Sequence, residues 1–140
     1  MILETAQLLS TCWWVSNRSY TEFFLSKKIY KPISNITHGC AIWVRQSRQN
    51  YEWLASLGMA LCKEYTYRYG RKHKTEELME FLQKNVPKLP DAGITPVYQA
   101  MPDECKDKDA VTAYRNYYMH PVKAKLRHWK KRELPEWFEK

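Results

Sequence analysis

Apolar residues recur at helical spacing from Cys40 to Tyr69, and this periodicity constrains the fold more than any other feature of the chain. Residues three and four apart lie on one face of an α-helix, so the stripe predicts a helix packed against a core. The stretch fits one long helix, or two helices with a break near Gly58. Gly70 predicts the C-terminal end, because glycine readily adopts the left-handed conformation of a helix cap. The apolar positions are Ala41, Val44, Tyr51, Leu54, Ala55, Leu61, Cys62 and Tyr65.

The N-terminal residues predict a first helix that begins without a capping residue. Helices normally begin after Ser, Thr, Asp or Asn, whose side chains accept hydrogen bonds from the first N–H groups. Because no such residue precedes the apolar stripe, we expect that the chain begins inside an element that longer relatives start earlier. The stripe consists of Ile2, Leu3, Ala6, Leu9 and Trp13.

Two segments predict irregular structure. The residues from Ser16 to His38 contain Pro32 and Asn35 as helix breakers and predict a loop with a short helical piece. The residues from 87 to 105 predict a long ordered loop, and such loops in compact domains are often functional. Its breakers are Pro87, Pro90, Gly93, Pro96 and Pro102.

Local signals predict the later helices. Thr75 begins the sequence Thr-Glu-Glu-Leu, which is typical of a helix start. Asp107 or Asp109 is expected to cap a helix that runs through Met119, and Pro121 to occupy the first turn of the next helix. The helix after Thr75 is expected to face inward with Leu78, Phe81 and Leu82.

These patterns predict an all-α fold. The sequence contains no convincing pair of strands, and 140 residues normally form one domain. We therefore expect a compact single domain over residues 1–140. No apolar run approaches the length of about 20 residues that a membrane span requires, and no charged-then-apolar leader is seen. A cytoplasmic protein without a membrane partner is the expected class.

The cysteines and histidines do not predict a metal site. The four cysteines, Cys12, Cys40, Cys62 and Cys105, form no Cys-x-x-Cys pair. His38 and Cys40 are the only close His/Cys pair, whereas a structural zinc site takes about four ligands. We therefore expect free thiols, no metal and no cofactor.

Positive charge without nearby acids characterises the C-terminal part of a chain whose formal charge is +8. No acidic residue lies between Asp109 and Glu133. Aromatic residues alternate with the cations, and this combination suits nucleic acid, because cations neutralise phosphates and flat rings stack on bases. The cations are Arg115, Lys123, Lys125, Arg127, Lys130, Lys131 and Arg132, and the aromatic residues are Tyr114, Tyr117, Tyr118 and Trp129.

A second stretch, residues 62–74, repeats this basic and aromatic composition. The expected partner is DNA, as a duplex, or else a nucleotide. Simpler explanations stay open: a solvated helix face for Arg45 and Arg48, a helical ion pair for Glu64 with Arg68, and core packing for Tyr114 with Tyr118. The candidate nucleic-acid-binding residues are Arg45, Arg48, Arg68, Arg71, Lys72, His73, Arg115, Lys123 and Lys125.

Several phrases carry a resemblance to known proteins. Together they resemble a set of phage proteins that are distantly similar to the pyrimidine-dimer DNA glycosylase family of the endonuclease V type. The phage-protein resemblance covers almost the whole chain, and the further step to the glycosylases depends mainly on the first helix. The phrases are Met-Ile-Leu-Glu-Thr-Ala-Gln-Leu-Leu-Ser-Thr at residues 1–11, His-Gly-Cys-Ala-Ile-Trp at 38–43, Asn-Tyr-Glu-Trp-Leu at 50–54, Glu-Tyr-Thr-Tyr-Arg-Tyr-Gly at 64–70, Gln-Ala-Met-Pro-Asp-Glu at 99–104 and Ala-Tyr-Arg-Asn-Tyr-Tyr at 113–118.

The resemblance implies an all-α DNA-repair scaffold with glycosylase and AP-lyase chemistry. In that family the N-terminal amine attacks the sugar carbon of a damaged nucleotide and forms a Schiff base, assisted by a carboxylate on the first long helix. Glu4 matches that carboxylate. The chain departs from the pattern because longer relatives carry a segment before this phrase, so the usual nucleophile is either missing or replaced by the Met1 amine. The alternative is a non-enzymatic phage protein that binds nucleic acid or a small phosphorylated nucleotide, with Glu4 as a helix-end charge.

Overall fold

A computed structural model describes residues 1–138 of the chain, and within this range it contains helices and no strand, which confirms the predicted all-α fold. The contacts within the chain form two compact units, Met1–Thr95 and the residues from Pro96 onward. The single domain over residues 1–140 stays a prediction. The helices are α1 (Ile2–Ser16), α2 (Arg18–Tyr20), a π-helical turn (Thr21–Leu25), α3 (Gly39–Gln46), α4 (Arg48–Tyr69), α5 (Glu76–Lys84), a 3₁₀ turn (Asp103–Cys105), α6 (Ala110–Met119) and a second 3₁₀ segment (Pro121–Leu126).

Helix α1 forms where the apolar stripe predicts it. Its buried face includes four of the five predicted residues, Ile2, Ala6, Leu9 and Trp13, whereas Leu3 is exposed. No side chain caps the helix at Met1, as expected from the sequence. The short α2 and the π-helical turn supply the helical piece predicted between residues 16 and 38. Within residues 1–138, no helix is both long and apolar enough to cross a membrane.

The long periodic stretch forms two helices, but the predicted break near Gly58 is wrong. The break lies at Ser47, whose backbone is extended and whose hydroxyl accepts a hydrogen bond from the Asn50 N–H and donates one to the Gly93 carbonyl at 2.6 Å. Gly58 lies inside α4, where an added Cβ would be 2.3 Å from the Met79 Cε and 3.0 Å from the Thr5 Cγ2. The glycine therefore permits close packing rather than a break.

The ends of α4 and α5 follow the local signals in part. Gly70 adopts the left-handed conformation at φ +68°, and its N–H donates to the Thr66 carbonyl, so the predicted cap is confirmed. Thr75 precedes α5 but makes no side-chain cap hydrogen bond. Leu82 is buried as predicted. Met79 is fully buried with it, whereas Leu78 and Phe81 are half-buried.

The Tyr51 hydroxyl joins three helices in the core of the first unit. The Trp13 indole of α1 donates to the Tyr51 Oη at 3.2 Å. The hydroxyl oxygen lies 2.9 and 3.0 Å from the carbonyl oxygens of Leu82 and Asn85 at the end of α5, which accept its hydrogen. Burial raises the pKa of Tyr51, so the hydroxyl keeps the proton that it donates.

The neighbouring Asn50 fixes the irregular segment that follows α5. Its amide donates to the Trp43 carbonyl at 2.8 Å and to the Thr95 Oγ1 at 2.7 Å, and its carbonyl oxygen accepts from the Thr95 N–H at 3.0 Å. A further bond joins the Arg48 N–H to the Pro90 carbonyl. In the predicted loop, residues 87–105, the only helical piece is the 3₁₀ turn at Asp103–Cys105. Side chains of the preceding helices hold the part of the loop that belongs to this unit.

In the second unit, the predicted cap of α6 is confirmed. The Asp109 carboxylate accepts from the Thr112 N–H at 2.8 Å, and hydrogen bonds from Thr112 hold the pKa of that carboxyl below its usual value. Pro121 begins a 3₁₀ segment rather than an α-helix. Ala113 is the buried residue of α6, whereas Tyr114, for which core packing was one interpretation, is exposed and donates to the Tyr98 carbonyl.

We predict that Tyr51→Phe destabilises the protein by about 1–3 kcal/mol, because it leaves the Trp13 N–H and two carbonyls without a buried partner. Urea unfolding followed by circular dichroism measures the change. Tyr20→Phe is the matched control, because Tyr20 is half-exposed, and we expect its effect to stay within about 0.5 kcal/mol. Equal stability of the two variants would contradict the role assigned to the Tyr51 hydroxyl.

Candidate nucleic-acid interface

The C-terminal end of α4 presents tyrosines and cations together. The rings of Tyr65 and Tyr69 lie 4.7 Å apart between centroids. Tyr67 and Tyr69 have exposed fractions of 50% and 49%, so their rings are accessible to a ligand. Past Gly70 the chain continues with three exposed cations, Arg71, Lys72 and Lys74. We call this set, Tyr67, Tyr69, Arg71, Lys72 and Lys74, the α4-end surface.

Arg68 and His73 lie in the same region but interact with neighbouring residues. The Arg68 Nε lies 2.6 Å from a Glu64 carboxylate oxygen, which is the helical ion pair that the spacing suggested. The His73 Nδ1 accepts a hydrogen bond from the Thr75 N–H at 3.1 Å, and its ring edge packs on Tyr65. Because the Nδ1 is an acceptor, the ring hydrogen of neutral His73 belongs on the Nε2. Both residues shape the α4-end surface, and nucleic-acid contact by either stays a prediction.

The two arginines near the start of α4 also have partners within the first unit. The Arg45 guanidinium donates to the Ile36 carbonyl at 2.7 Å and fixes the loop before α3. Arg48 lies 3.3 Å from the Glu52 carboxylate and 3.8 Å from the Asp91 carboxylate. Arg48 is half-exposed, so the solvated helix face considered from the sequence fits its surroundings.

In the second unit, three cations pack over aromatic rings, and one of them is Arg127, which lies 5.6 Å from the Phe138 ring centre. The Arg115 guanidinium lies 5.4 Å from the Trp137 ring centre, and the Lys123 ammonium lies 4.4 Å from the Tyr117 ring centre. Such contacts stabilise a cation by the negative face of the ring. Tyr118, Trp129, Trp137 and Phe138 contact one another at centroid distances from 5.5 to 6.2 Å. Many aromatic residues of the acid-free stretch thus build this unit.

Arg127 closes the C-terminal end of α6. Its guanidinium donates to the carbonyls of Tyr118, Met119 and His120, with distances of 2.9 Å to Tyr118 and His120. The last carbonyls of a helix lack partners within the helix, so Arg127 satisfies them as a side-chain cap. In the sequence, its charge alone placed Arg127 among the cations suited to phosphates. Its position shortly after the predicted end of the helix at Met119 was the signal that could have indicated a capping role.

Other cations of the acid-free stretch are exposed. Lys125 lies in the 3₁₀ segment, and Lys130, Lys131 and Arg132 follow it. We call these four residues the C-terminal basic segment. Their positive charge lies where solvent and a polyanion have access.

The two residues predicted to be catalytic lie together on the surface. The Met1 amine is 4.0 Å from a Glu4 carboxylate oxygen, and the two side chains have exposed fractions of 76% and 77%. An ion pair at this exposure is well solvated and contributes little to stability. The two groups thus lie close together, and catalysis by the pair stays a prediction.

The sequence interpretation missed one exposed apolar feature. Phe23 and Phe24 lie on the π-helical turn with exposed fractions of 84% and 65%. The available signal was the sequence Phe-Phe followed closely by Lys27 and Lys28, in a segment expected to be mainly loop. Across residues 1–138, no group of three or more His, Cys, Asp or Glu side chains is arranged to hold a metal ion.

Comparisons with known proteins add no family to this description. No family model matches the chain, and no match was found among curated proteins or among solved structures. The resemblance to pyrimidine-dimer glycosylases therefore stays a prediction, and the functional hypothesis depends on the residues themselves.

We predict that Arg127→Ala lowers the stability of the second unit by about 1.5–3 kcal/mol, because charge-assisted hydrogen bonds to the α6 carbonyls are lost. Thermal unfolding and limited proteolysis of residues 96–138 measure the effect. Lys125→Ala removes a nearby exposed cation and serves as the control, with an expected change within about 0.5 kcal/mol. Unchanged proteolysis of the Arg127 variant would contradict the capping role.

Proposed function

We propose that this protein binds DNA through phosphate contacts, assisted by stacking on exposed tyrosines. The observation that supports the proposal is the α4-end surface, where half-exposed Tyr67 and Tyr69 lie beside three exposed cations. Cations near flat rings suit a ligand that combines phosphates with bases. The C-terminal basic segment offers a second set of phosphate contacts in the other unit.

The charge balance at the end of α4 favours an anionic partner. The carboxylate of Glu64 is paired with Arg68, so its charge is offset locally. The helix C-terminus contributes about half a negative charge, which the three cations of the α4-end surface exceed. Phosphates approaching this end of the helix therefore meet net positive charge.

A second candidate function, glycosylase and AP-lyase chemistry, is supported by the distance of 4.0 Å between the Met1 amine and Glu4. In this reaction the unprotonated amine attacks the C1′ carbon of a flipped, damaged nucleotide and displaces the base, which takes a proton from water. The C1′–O4′ bond of the sugar then breaks, and the nitrogen and C1′ form a cationic Schiff base. Glu4 accepts one proton from the amine and passes it to O4′, so its carboxylate is ionised again and stabilises the cation.

The alternative is a protein that binds its ligand without catalysing a reaction, and this ligand is either DNA or a nucleotide. A DNA-binding protein contacts several phosphates along a strand, whereas a nucleotide-binding protein contacts one or two phosphates. The salt dependence of affinity separates the two, because it scales with the number of phosphates neutralised. A pyrimidine nucleoside triphosphate and a DNA duplex of about 20 base pairs are suitable probes.

For duplex DNA, we expect the slope of log affinity against log salt to be about −4 to −5, which corresponds to about five neutralised phosphates. Arg71→Glu with Lys72→Glu should reduce its magnitude by about 2 units and weaken binding to all sequences alike. Fluorescence anisotropy across a salt series measures both values.

Lys84→Glu with Lys88→Glu is the matched control, because it changes the net charge equally at exposed positions outside the α4-end surface. Lys125→Glu tests the second unit separately and should reduce the slope by about 1 unit. Arg127 is left unchanged, because its loss would disturb the fold. Salt-independent binding, or no binding at low salt, would contradict the proposal.

If the glycosylase reaction occurs, borohydride should trap a covalent adduct on duplexes that carry a pyrimidine dimer or an abasic site. Glu4→Gln should then abolish strand cleavage while DNA affinity stays within about twofold, because the substitution removes a charge with little change in volume. Glu77→Gln removes the charge of another exposed carboxylate and is the control. Absence of a trapped adduct in the wild-type protein refutes the reaction and leaves DNA binding as the function.

A further inference from the structure

An aromatic ridge stands on the surface of the first unit. It consists of Tyr20, Phe23 and Phe24, all of them exposed and two of them purely apolar. Large apolar side chains are seldom so exposed in adjacent positions unless a ligand or partner covers them. The ridge lies outside the α4-end surface and plays no part in the contacts described above.

The backbone that carries the ridge is anchored on both sides. Thr21 is fully buried, and its hydroxyl donates to the carbonyls of Trp13 and Asn17 at 3.0 and 2.9 Å. Leu25, at the other end of the π-helical turn, is also buried. Between these anchors the turn directs Phe23 and Phe24 into solvent. Single π-helical turns are rare and occur frequently at functional sites.

The rings of the ridge follow one another from the core outward. Buried Trp13 lies 5.9 Å from Tyr20 in a stacked arrangement, Tyr20 lies 4.9 Å from Phe24, and Phe24 lies 6.3 Å from Phe23, all measured between ring centroids. The exposed rings thus pack in sequence on a ring that is buried in the core. Their exposed surfaces are of the size and shape on which nucleic-acid bases stack.

Exposed cations lie close to the ridge in the sequence. The segment from residue 18 to residue 31 carries four exposed cations, Arg18, Lys27, Lys28 and Lys31, and a single acidic residue, Glu22, which pairs with Arg18. Lysines beside exposed rings complement a ligand that alternates phosphates with flat bases.

The ridge segment also packs against the chain that follows the α4-end surface. The Lys28 ammonium lies 5.5 Å from the Phe81 ring centre, and the hydroxyls of Tyr30 and Thr75 are 3.1 Å apart. Thr75 in turn donates its N–H to His73, next to Lys72 and Lys74. Contacts within one unit therefore connect the lysines after the ridge with the cations after α4.

We propose that this ridge is a stacking platform for unpaired bases, with Lys27 and Lys28 on the adjoining phosphates, so that the protein prefers DNA containing a single-stranded stretch. The proposal rests on the DNA-binding function and identifies the form of DNA recognised. A lipid surface fits less well, because a membrane-binding helix needs an apolar face over several turns, whereas these rings occupy a single turn.

The test compares a 12-nucleotide oligo(dT) strand with a duplex of equal length by fluorescence anisotropy. Phe23→Ala with Phe24→Ala should weaken single-strand binding about tenfold or more, because two stacking surfaces are lost, while duplex affinity changes less than about twofold. Phe23→Leu with Phe24→Leu retains apolar area without flat rings and should lose single-strand affinity as well. Ile94→Ala removes an exposed apolar side chain outside the ridge and is the control.

Each further outcome overturns the inference in a recognisable way. Stacking on the ridge is refuted if single-strand binding survives both double substitutions, or if the leucine variant binds as well as the wild-type protein. Duplex binding by the wild-type protein would still support the DNA-binding function in that case. Binding to neither form of DNA refutes both. A third outcome assigns the ridge to a membrane surface instead. In that outcome the wild-type protein sediments with phosphatidylserine vesicles, the alanine variant does not, and the single-strand affinity of the two proteins is the same. Far-UV circular dichroism verifies that each variant is folded.

Discussion

The hydroxyl of Tyr51 is the interaction on which the first unit most depends. It receives a hydrogen bond from α1 and lies against two carbonyls at the end of α5, so one polar atom fixes the positions of two helices relative to α4. A buried group of this kind is stabilising only while all its partners are present. The preceding residue, Asn50, does the same for the irregular segment up to Thr95. Two adjacent side chains thus link the helices and the loop of this unit.

The elements that depend on local signals could be predicted from the sequence. The stripe of α1, the left-handed Gly70 cap and the Asp109 cap each involve residues within about one helical turn. The break between α3 and α4 depends instead on Ser47, which bonds to the carbonyl of Gly93, a partner remote in sequence. A glycine in a helical pattern suggested the break at position 58. Gly58 instead makes room for the side chains of Met79 and Thr5, which are remote in the sequence.

For the candidate interface, composition predicted where the positive charge lies but not what each cation does. Arg127 and Arg45 bond to carbonyls, and Arg68 pairs with Glu64, so these guanidinium groups hold the fold together. Arg71, Lys72 and Lys74, which directly follow the end of α4, are exposed. For Arg45 and Arg127, only the positions of backbone carbonyls distinguish these two classes, and those positions are set by folding. The exposure of Phe23 and Phe24 was hidden for a similar reason, because an apolar pair in a sequence normally indicates a core.

The close packing at Gly58 has a consequence for how this protein can change through evolution. A glycine inside a helix lowers stability by about 0.5–1 kcal/mol relative to alanine, so replacement by alanine would stabilise the helix if there were space for it. Here the methyl group of an alanine would overlap the end of Met79, which is fully buried. Alanine at position 58 therefore becomes acceptable once residue 79 is shorter, and each substitution alone is disfavoured, one by overlap and the other by a void. Among descendants of this sequence, the two positions should covary: small beside long, or larger beside short.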